Sequence, residues 1–482
     1  MGVDSVAHGQ NYVDGRWEDG GGAVLEVRDP ATGDVVARVP ESTERDVDRA
    51  VTAARRAWDS WRWVNPSVRA GYLHATADAL SAATDRVAAA TTREMGKPLP
   101  EARGEVEKLA KTFHFYAEEA TRITGATLAN EEDGFTSIVE KEPIGVVAAI
   151  TPWNYPVELI GWKLAAALAA GCTIVVKPSE YTPTAAIEVF RSLEVAQLPS
   201  GVANLVTGAG TTGRALVAHP AIDKVAFTGS GATGAAIVKT VSGVKPVSME
   251  LGGNCPLIVT RHADLDQAVT GALRRSFRNA GQICIAINRA YVHADLYEEF
   301  VGRLAKGAAN LVVGDGRREE NVDVGPVTNA EILERSERHV EDARTKGARV
   351  LVGGTRPPGR PAGNFYLPTV LADCTQDMLV MHEETFGPVI GVSAFTDLDA
   401  AVALANSTPA GLAAYVYSEN LGEVFALGRR LDFGSVAVNN VDAGTINAPY
   451  GGRKGSGFGY EHGREGMEGY LQMKHVRVRH HA

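Results

Sequence analysis

Apolar positions along this chain change their period partway. From Ser42 to Thr121 they recur at helical spacing, and from Ile144 onward short apolar runs alternate with longer amphipathic ones. Upstream, residues 11–40 read as short strands and turns, NYVDGRW then VRDPATGDVVARVP, with Asp-Gly and Thr-Gly-Asp as turn chemistry. Ser42 with Arg45 to Val51 opens an amphipathic helix, and Pro66 to Met95 and Leu99 to Ala120 supply others. Residues 124–143 read as an extended excursion ending in the alternating TSIVEKEP. After Ile144 come the strand GVVAAI, a helix from Val157 to Ala170 closed by Gly171, and the strand TIVVK. Thr182 then reads as an N-cap with Pro183 at the first helical position. The strand NLV, a helix from Thr211 to Ala218, KVAF, a helix from Ala232 to Val241 and KPVSME complete this run. A second run holds PLIVT, a helix from Leu265 to Ala280, RAYVH and a helix from Tyr297 to Leu311, followed by RVLVGG, PVIGVSAF, AAYVYS and SVAVN. Strands separated by single helices predict α/β architecture with a doubly wound parallel sheet, which binds ligands at the carboxyl ends of its strands. The basic tail LQMKHVRVR is an isolated terminal strand and needs a pairing partner, for which another subunit is a candidate.

Composition narrows the class. A chain of 482 residues implies two or more domains, and 45% hydrophobic with 22% charged residues is ordinary for a globular protein. The net charge of −10 argues against nucleic acid or an anionic membrane as partner. Four cysteines without a CxxC pair suggest neither a disulfide framework nor a zinc site, and no metal is expected. A reducing, cytoplasmic setting fits. The first ten residues lack an apolar signal core, and Val6 breaks the myristoylation pattern. The longest apolar run, Val157 to Val176, contains Glu158 and Lys163 and reads as a buried helix and strand, not a membrane span.

Two stretches carry candidate chemistry. In FRNAGQICIA, Cys284 falls just past a helix-like segment, in a loop facing a cleft; in VSMELGGN, Glu250 precedes a Gly-Gly turn. A nucleophilic thiol and a carboxylate that activates water are the two parts acyl chemistry needs. Gly208 to Gly213 matches GxGxxG between a strand and a helix, but lacks a following acidic residue to hold a ribose, so a tight packing turn is an equal reading. A second loop, Phe227-Thr228-Gly229-Ser230, could meet a phosphate at a helix N-terminus. Asn154 reads alone as a helix cap, Glu250 as a turn carboxylate, Lys177 and Glu384 as solvated charges, and Cys172, Cys255 and Cys374 as packing residues.

Taken together, the chain from about Tyr12 onward resembles the aldehyde dehydrogenase superfamily. The motifs occur in order: Thr151-Pro152-Trp153-Asn154, Lys177-Pro178-Ser179-Glu180, Phe227 to Ser230, Met249 to Asn254, Gly281 to Cys284, Glu383 to Pro388, and Pro449-Tyr450-Gly451-Gly452. The resemblance implies a Rossmann-type cofactor domain (1–121 and 143–251), a catalytic domain (252–452) and a small β oligomerisation element (122–142 and 467–482), assembled as a homodimer or homotetramer. It implies Cys284 as nucleophile, Asn154 and the Cys284 amide as oxyanion donors, and Glu250 as the base that releases a carboxylic acid from a thioester. It also implies NAD in preference to NADP, with Thr151, Pro152, Trp153, Lys177, Ser179, Glu180, Gly210, Gly229, Ser230, Thr233, Leu251, Glu384 and Phe386 as cofactor contacts. Lys177 and Glu180 would meet the adenosine ribose, Glu384 the nicotinamide ribose, and the GAGTTG loop would line the adenine side.

The substrate is a small aldehyde of open identity. Trp162 occupies a position where some relatives carry an aromatic tunnel residue and succinate-semialdehyde enzymes an arginine. Arg278 matches an arginine that those enzymes use for a distal carboxylate, although a helix-end role is the alternative. A CoA-acylating semialdehyde dehydrogenase is a further alternative, against which Glu250 argues.

Overall fold

The change of pattern at Ile144 marks the entry into a parallel sheet. In the computed structural model, which describes residues 6–360 and 362–480, that sheet has eight strands. Their order is Gly457–Phe458, Val247–Glu250, Lys224–Thr228, Val146–Ile150, Thr173–Lys177, Ala203–Leu205, Asn11–Val13 and Arg16–Glu18. The strands from Val247–Glu250 to Ala203–Leu205 are mutually parallel. The chain lays Val146–Ile150 first and builds outward through Thr173–Lys177 to Ala203–Leu205. It then returns to place Lys224–Thr228 on the opposite side of the first strand. The strand order therefore reverses between Val146–Ile150 and Lys224–Thr228, and the connections leave a crevice above their carboxyl ends. Every residue of these two strands is buried, so both faces are covered. The covering helix Glu158–Ala170 is itself buried on all sides and apolar save for Glu158 and Lys163, as a helix enclosed by protein should be.

A second sheet of seven strands runs Arg349–Val352, Thr369–Ala372, Val389–Phe395, Ile287–His293, Cys255–Val259, Ala413–Tyr417 and Ser435–Val438. It is parallel except at its first, edge strand. Its core is a single large apolar cluster, separate from the two that flank the first sheet.

Four expectations are corrected. The first long helix, Glu44–Trp61, is capped by Thr43 in a reciprocal box with Asp46, while Ser42 instead exchanges hydrogen bonds with Asn11. The segment from Pro66 to Met95 is two helices, Pro66–Ala82 and Thr84–Met95, divided where the Thr84 hydroxyl turns back to Ser81 O. The helix from Leu265 stops at Phe277, because Asn279, Ala280 and Gly281 all take left-handed backbone angles. The C-terminal strand Leu471–Arg479 finds its partner within the chain. It pairs antiparallel with Phe135–Pro143 over its whole length, and Ala126–Leu128 adds a third strand. That small sheet leaves Leu128, Ile138, Met473 and Val478 exposed. Thr182 does stand at the N-cap position, but its side chain makes no capping bond. Among the described residues no helix is long and apolar enough to cross a membrane. No group of three or more His, Cys, Asp or Glu side chains among them could hold a metal.

Candidate active site

The crevice at the reversal point is a cleft of about 800 Å³. Of the residues singled out in the sequence, Cys284, Glu250, Asn154 and all thirteen expected cofactor contacts line it. The loop that follows Val146–Ile150 supplies Thr151, Pro152, Trp153 and Asn154, and the end of Thr173–Lys177 supplies Lys177, Ser179 and Glu180. The turn after Lys224–Thr228 supplies Gly229, Ser230 and Thr233, and the end of Val247–Glu250 supplies Glu250 and Leu251. Glu384 and Phe386 reach the cleft from the second sheet's side of the molecule. The parallel topology of the first sheet gathers residues 151–251 at one end, and the second sheet brings Cys284, Glu384 and Phe386 against them.

Cys284 sits in a loop that is unusually over-determined. Asn279 and Ala280 hold φ near +50°, which costs a non-glycine residue about 1–2 kcal/mol each. Side-chain amides stabilise that turn. Asn279 Nδ2 donates to both Asn154 O and Gln282 O, each at 3.1 Å. Gln282 Nε2 donates to Asn279 O at 2.9 Å, and Gln282 Oε1 accepts from Thr328 N at 2.8 Å. Asn154 Nδ2 donates to Gln282 O at 3.0 Å, so the candidate oxyanion donor is held against the cysteine loop and does not cap the following helix. Gly281 is required here: with φ +74°, a Cβ on it would lie 2.1 Å from Gly387 O. The Gly-Gly turn after Glu250 closes from the other side, and a Cβ on Gly253 would lie 2.3 Å from Cys284 O.

The electrostatics of the cleft are set by burial. The Cys284 thiol is pushed up to about 12, first by desolvation; Tyr450 pulls it down by a hydrogen bond, and Glu384 and Glu250 push it further up. Glu250 is 4% exposed, both its oxygens lack a hydrogen-bond partner among the described residues, and its carboxyl is held well above the ordinary range, first by burial and then by Glu461, with Lys163 opposing. Glu384 is raised to about 7 by burial, against the hydrogen bond it accepts from Gly253 N at 3.0 Å. Lys177 is lowered to about 8 by burial, opposed by Glu180 and Glu41; its Nζ is held by Pro178 O and Gly208 O at 2.6 and 2.7 Å. Ser230 caps the helix Gly231–Thr240, accepting from Thr233 N at 3.2 Å, which points that helix's free amides at the cleft. Gly210 and Gly213 lie beside Lys177 and Glu180. Trp153 and Phe386 meet edge to face, with ring centroids 5.4 Å apart.

These donors fit a dinucleotide. The wall offers amides at a helix start, two carboxylates free to accept from ribose hydroxyls, and an aromatic pair. Trp162 and Arg278 do not line this cleft. Trp162 packs with Leu159, Leu412 and Tyr450 in a small cluster that touches Cys284. Arg278 faces Glu101, Nε to Oε2 3.6 Å, with 23% of its side chain exposed. Sequence reasoning missed several neighbours. Lys163, fully buried, donates to Thr228 Oγ1 at 2.6 Å and pairs with Glu461 beside Glu250. A lone lysine in an otherwise apolar helix was the available signal. Tyr450 lay in a recognised motif, yet nothing local indicated that its hydroxyl reaches the cysteine. His462, with an aromatic contact to Trp162 at 4.1 Å, gave no sequence signal.

The aldehyde dehydrogenase family model matches residues 17–476. The chain is 42% identical over 475 residues to a 3-sulfolactaldehyde dehydrogenase of Pseudomonas putida, covering 98% of this chain and 97% of that protein. It is 41% identical over 472 residues to an NADP-dependent succinate-semialdehyde dehydrogenase of Escherichia coli, covering 97% of each. A solved NAD-dependent aldehyde dehydrogenase from Sinorhizobium meliloti superposes with a TM-score of 0.95 at 38% identity, covering 98% of this chain and 95% of that one. A cleft built for a dinucleotide, with a thiol and a carboxyl group in its wall, and a match over nearly the whole length agree: the chain belongs to the aldehyde dehydrogenase family, NAD(P)-dependent oxidoreductases that convert an aldehyde to its carboxylic acid.

Proposed function

We propose that Cys284 is the nucleophile, that Asn154 and the Cys284 amide hold the oxyanion, and that Glu250 activates the water that releases the acid. The observation that carries this reading is the meeting of these three groups on one cleft, with Asn154 and Cys284 tied through Asn279 and Gln282. The Cys284 sulfur attacks the aldehyde carbon, and the carbonyl electron pair moves to oxygen. Asn154 has a second amide hydrogen beyond the one given to Gln282 O, and an amide donor there stabilises the new charge. NAD(P), when bound, supplies the hydride acceptor that oxidises the carbon to a thioester. Glu250 then takes a proton from water as the C–O bond forms and the C–S bond breaks. A buried, partnerless carboxyl suits this step, since its raised proton affinity makes it an effective base once ionised. Lys163 and Glu461 supply a neighbouring polar pair through which that proton can leave.

Preference for NAD over NADP follows from Glu180, whose half-exposed carboxylate would repel a 2′-phosphate. An aldehyde with a distal anionic group is the favoured substrate class. Arg278 keeps 23% of its side chain exposed beside Glu101, and relatives named for a sulfolactaldehyde and for succinate semialdehyde support it. The pairing with Glu101 and the aromatic Trp162 favour a second reading, an uncharged substrate with Arg278 structural. The exposed apolar residues of the three-stranded sheet support assembly into a homodimer or homotetramer. A cytoplasmic setting agrees with four free cysteines. The mechanism is tested by Cys284→Ala: turnover should vanish while NAD binding, measured on the same preparation, persists. Normal turnover would refute it.

A further inference from the structure

The Tyr450 hydroxyl lies 3.3 Å from Cys284 Sγ and has no other hydrogen-bond partner among the described residues. Tyr450 is 3% exposed and its ring is wedged against Trp162, centroids 5.2 Å apart, which holds the hydroxyl in place. With a neutral thiol, either atom can donate. With a thiolate, only the tyrosine can, and a hydrogen bond to a charged acceptor is about twice as strong as one between neutral groups. The contact therefore favours ionised over protonated sulfur.

We propose that Tyr450 is a catalytic residue: its hydroxyl donates to Cys284 Sγ, stabilising the thiolate before attack and again when sulfur leaves the thioester. This rests on Cys284 being the nucleophile. On attack the sulfur lone pair forms the S–C bond, and the hydrogen bond weakens as sulfur loses its charge. On release the C–S pair returns to sulfur and the bond is restored. The other groups acting on the sulfur explain why such a donor matters. Glu250, Glu384 and Cys255 all disfavour negative charge there. Arg275, the cation whose charge favours the thiolate, is committed to Val441 O and Asp442. Tyr450 itself is held well above the ordinary tyrosine range, by burial first and by Cys284 second, so it keeps its proton and stays a donor.

The test is alkylation of the cofactor-free protein by iodoacetamide across pH, comparing wild type with Tyr450→Phe, which removes one oxygen and keeps the ring. Cys172, Cys255 and Cys374 are buried, so the readout reports Cys284. Because the thiol is pushed up to about 12, Tyr450→Phe should slow alkylation about ten-fold throughout the working pH range, with NAD binding and the thermal melt unchanged. An unchanged rate overturns the proposal, as does a slowed rate accompanied by weakened NAD binding or a lowered melt, which would make Tyr450 a packing residue. Failure of the nucleophile reading is distinguishable: Cys284→Ala would then keep its turnover, whatever Tyr450→Phe does.

Discussion

Replacing Gly253 with alanine probes how tightly Cys284, the proposed nucleophile, is positioned. Gly253 does not need glycine's backbone freedom, since its φ lies outside the left-handed region, so the effect comes from the added methyl alone. That methyl would sit 2.3 Å from Cys284 O and 3.3 Å from Cys255 Sγ. Carbon–oxygen contacts settle near 3.2 Å, so the cysteine loop or the Gly-Gly turn must retreat by roughly 0.7–0.9 Å. The loop has little room to yield: it is pinned through Asn279, Gln282 and Asn154, and Gly281 already abuts Gly387 O. A shift of about 1 Å at a reacting centre costs on the order of 10²-fold in rate. The same overpacking should cost about 1–3 kcal/mol of stability. The assay is kcat/KM for an aldehyde with saturating NAD, alongside a thermal melt. The expected result is a loss of about 10²-fold with a melt lowered by only a few degrees, roughly. Activity within two-fold of wild type would show that the turn moves freely and that the nucleophile is not held by the contacts described.

Glu250→Gln should let the acyl-enzyme form and then stall, so rapid mixing should reveal a burst of NADH followed by turnover slowed by about 10²–10⁴-fold; a defect confined to the hydride step would remove Glu250 from hydrolysis. Comparing kcat/KM for the two cofactors in one buffer should favour NAD, and Glu180→Gln should narrow the gap; equal values in wild type would overturn the ribose assignment. Arg278→Leu should cut kcat/KM for succinic semialdehyde by about ten-fold or more while leaving an uncharged aldehyde of similar length unaffected; equal losses on both would make Arg278 structural.

Much of the fold was legible because the two periods of the apolar pattern are distinct. Runs such as GVVAAI and TIVVK can only be buried strands at their length, and the helices between them dictate a parallel sheet and its crevice. What periodicity cannot reveal is the backbone excursion at Asn279-Ala280. Neither residue is glycine, and the left-handed turn is maintained by side-chain amides from Asn279 and Gln282 and by the Thr328 amide, whose positions depend on the tertiary fold. The expected helix, Leu265 to Ala280, therefore ran three residues past its actual end at Phe277. The terminal strand was recognised as a strand, and its partner more than three hundred residues upstream was indicated only by the family resemblance that groups 122–142 with 467–482, not by any local pattern. The same holds at the site. Cys284, Glu250 and Asn154 announce themselves by motif, whereas Lys163, Glu461 and Tyr450 matter only through proximity.

The resting cleft also indicates what activates the thiol. Cys284, Glu250 and Glu384 are three acids around one low-dielectric space, and each is raised, chiefly by burial. Three negative charges there would repel one another, so each group disfavours ionisation of the others. Among the described residues no histidine is hydrogen-bonded to the sulfur, and Lys163 and Lys177 are occupied, Lys163 by Glu461 and Lys177 by two carbonyls. Under the proposed mechanism the protein's own help to the thiolate comes from oriented neutral donors, which stabilise a charge only when held at hydrogen-bond distance and aligned. That requirement gives the left-handed loop its purpose. The turn at Asn279 and Ala280 is the one in which Gln282 O accepts from Asn154 Nδ2 and the Cys284 sulfur comes within 3.3 Å of the Tyr450 hydroxyl, and a relaxed helical turn through these residues would redirect the loop that carries both contacts.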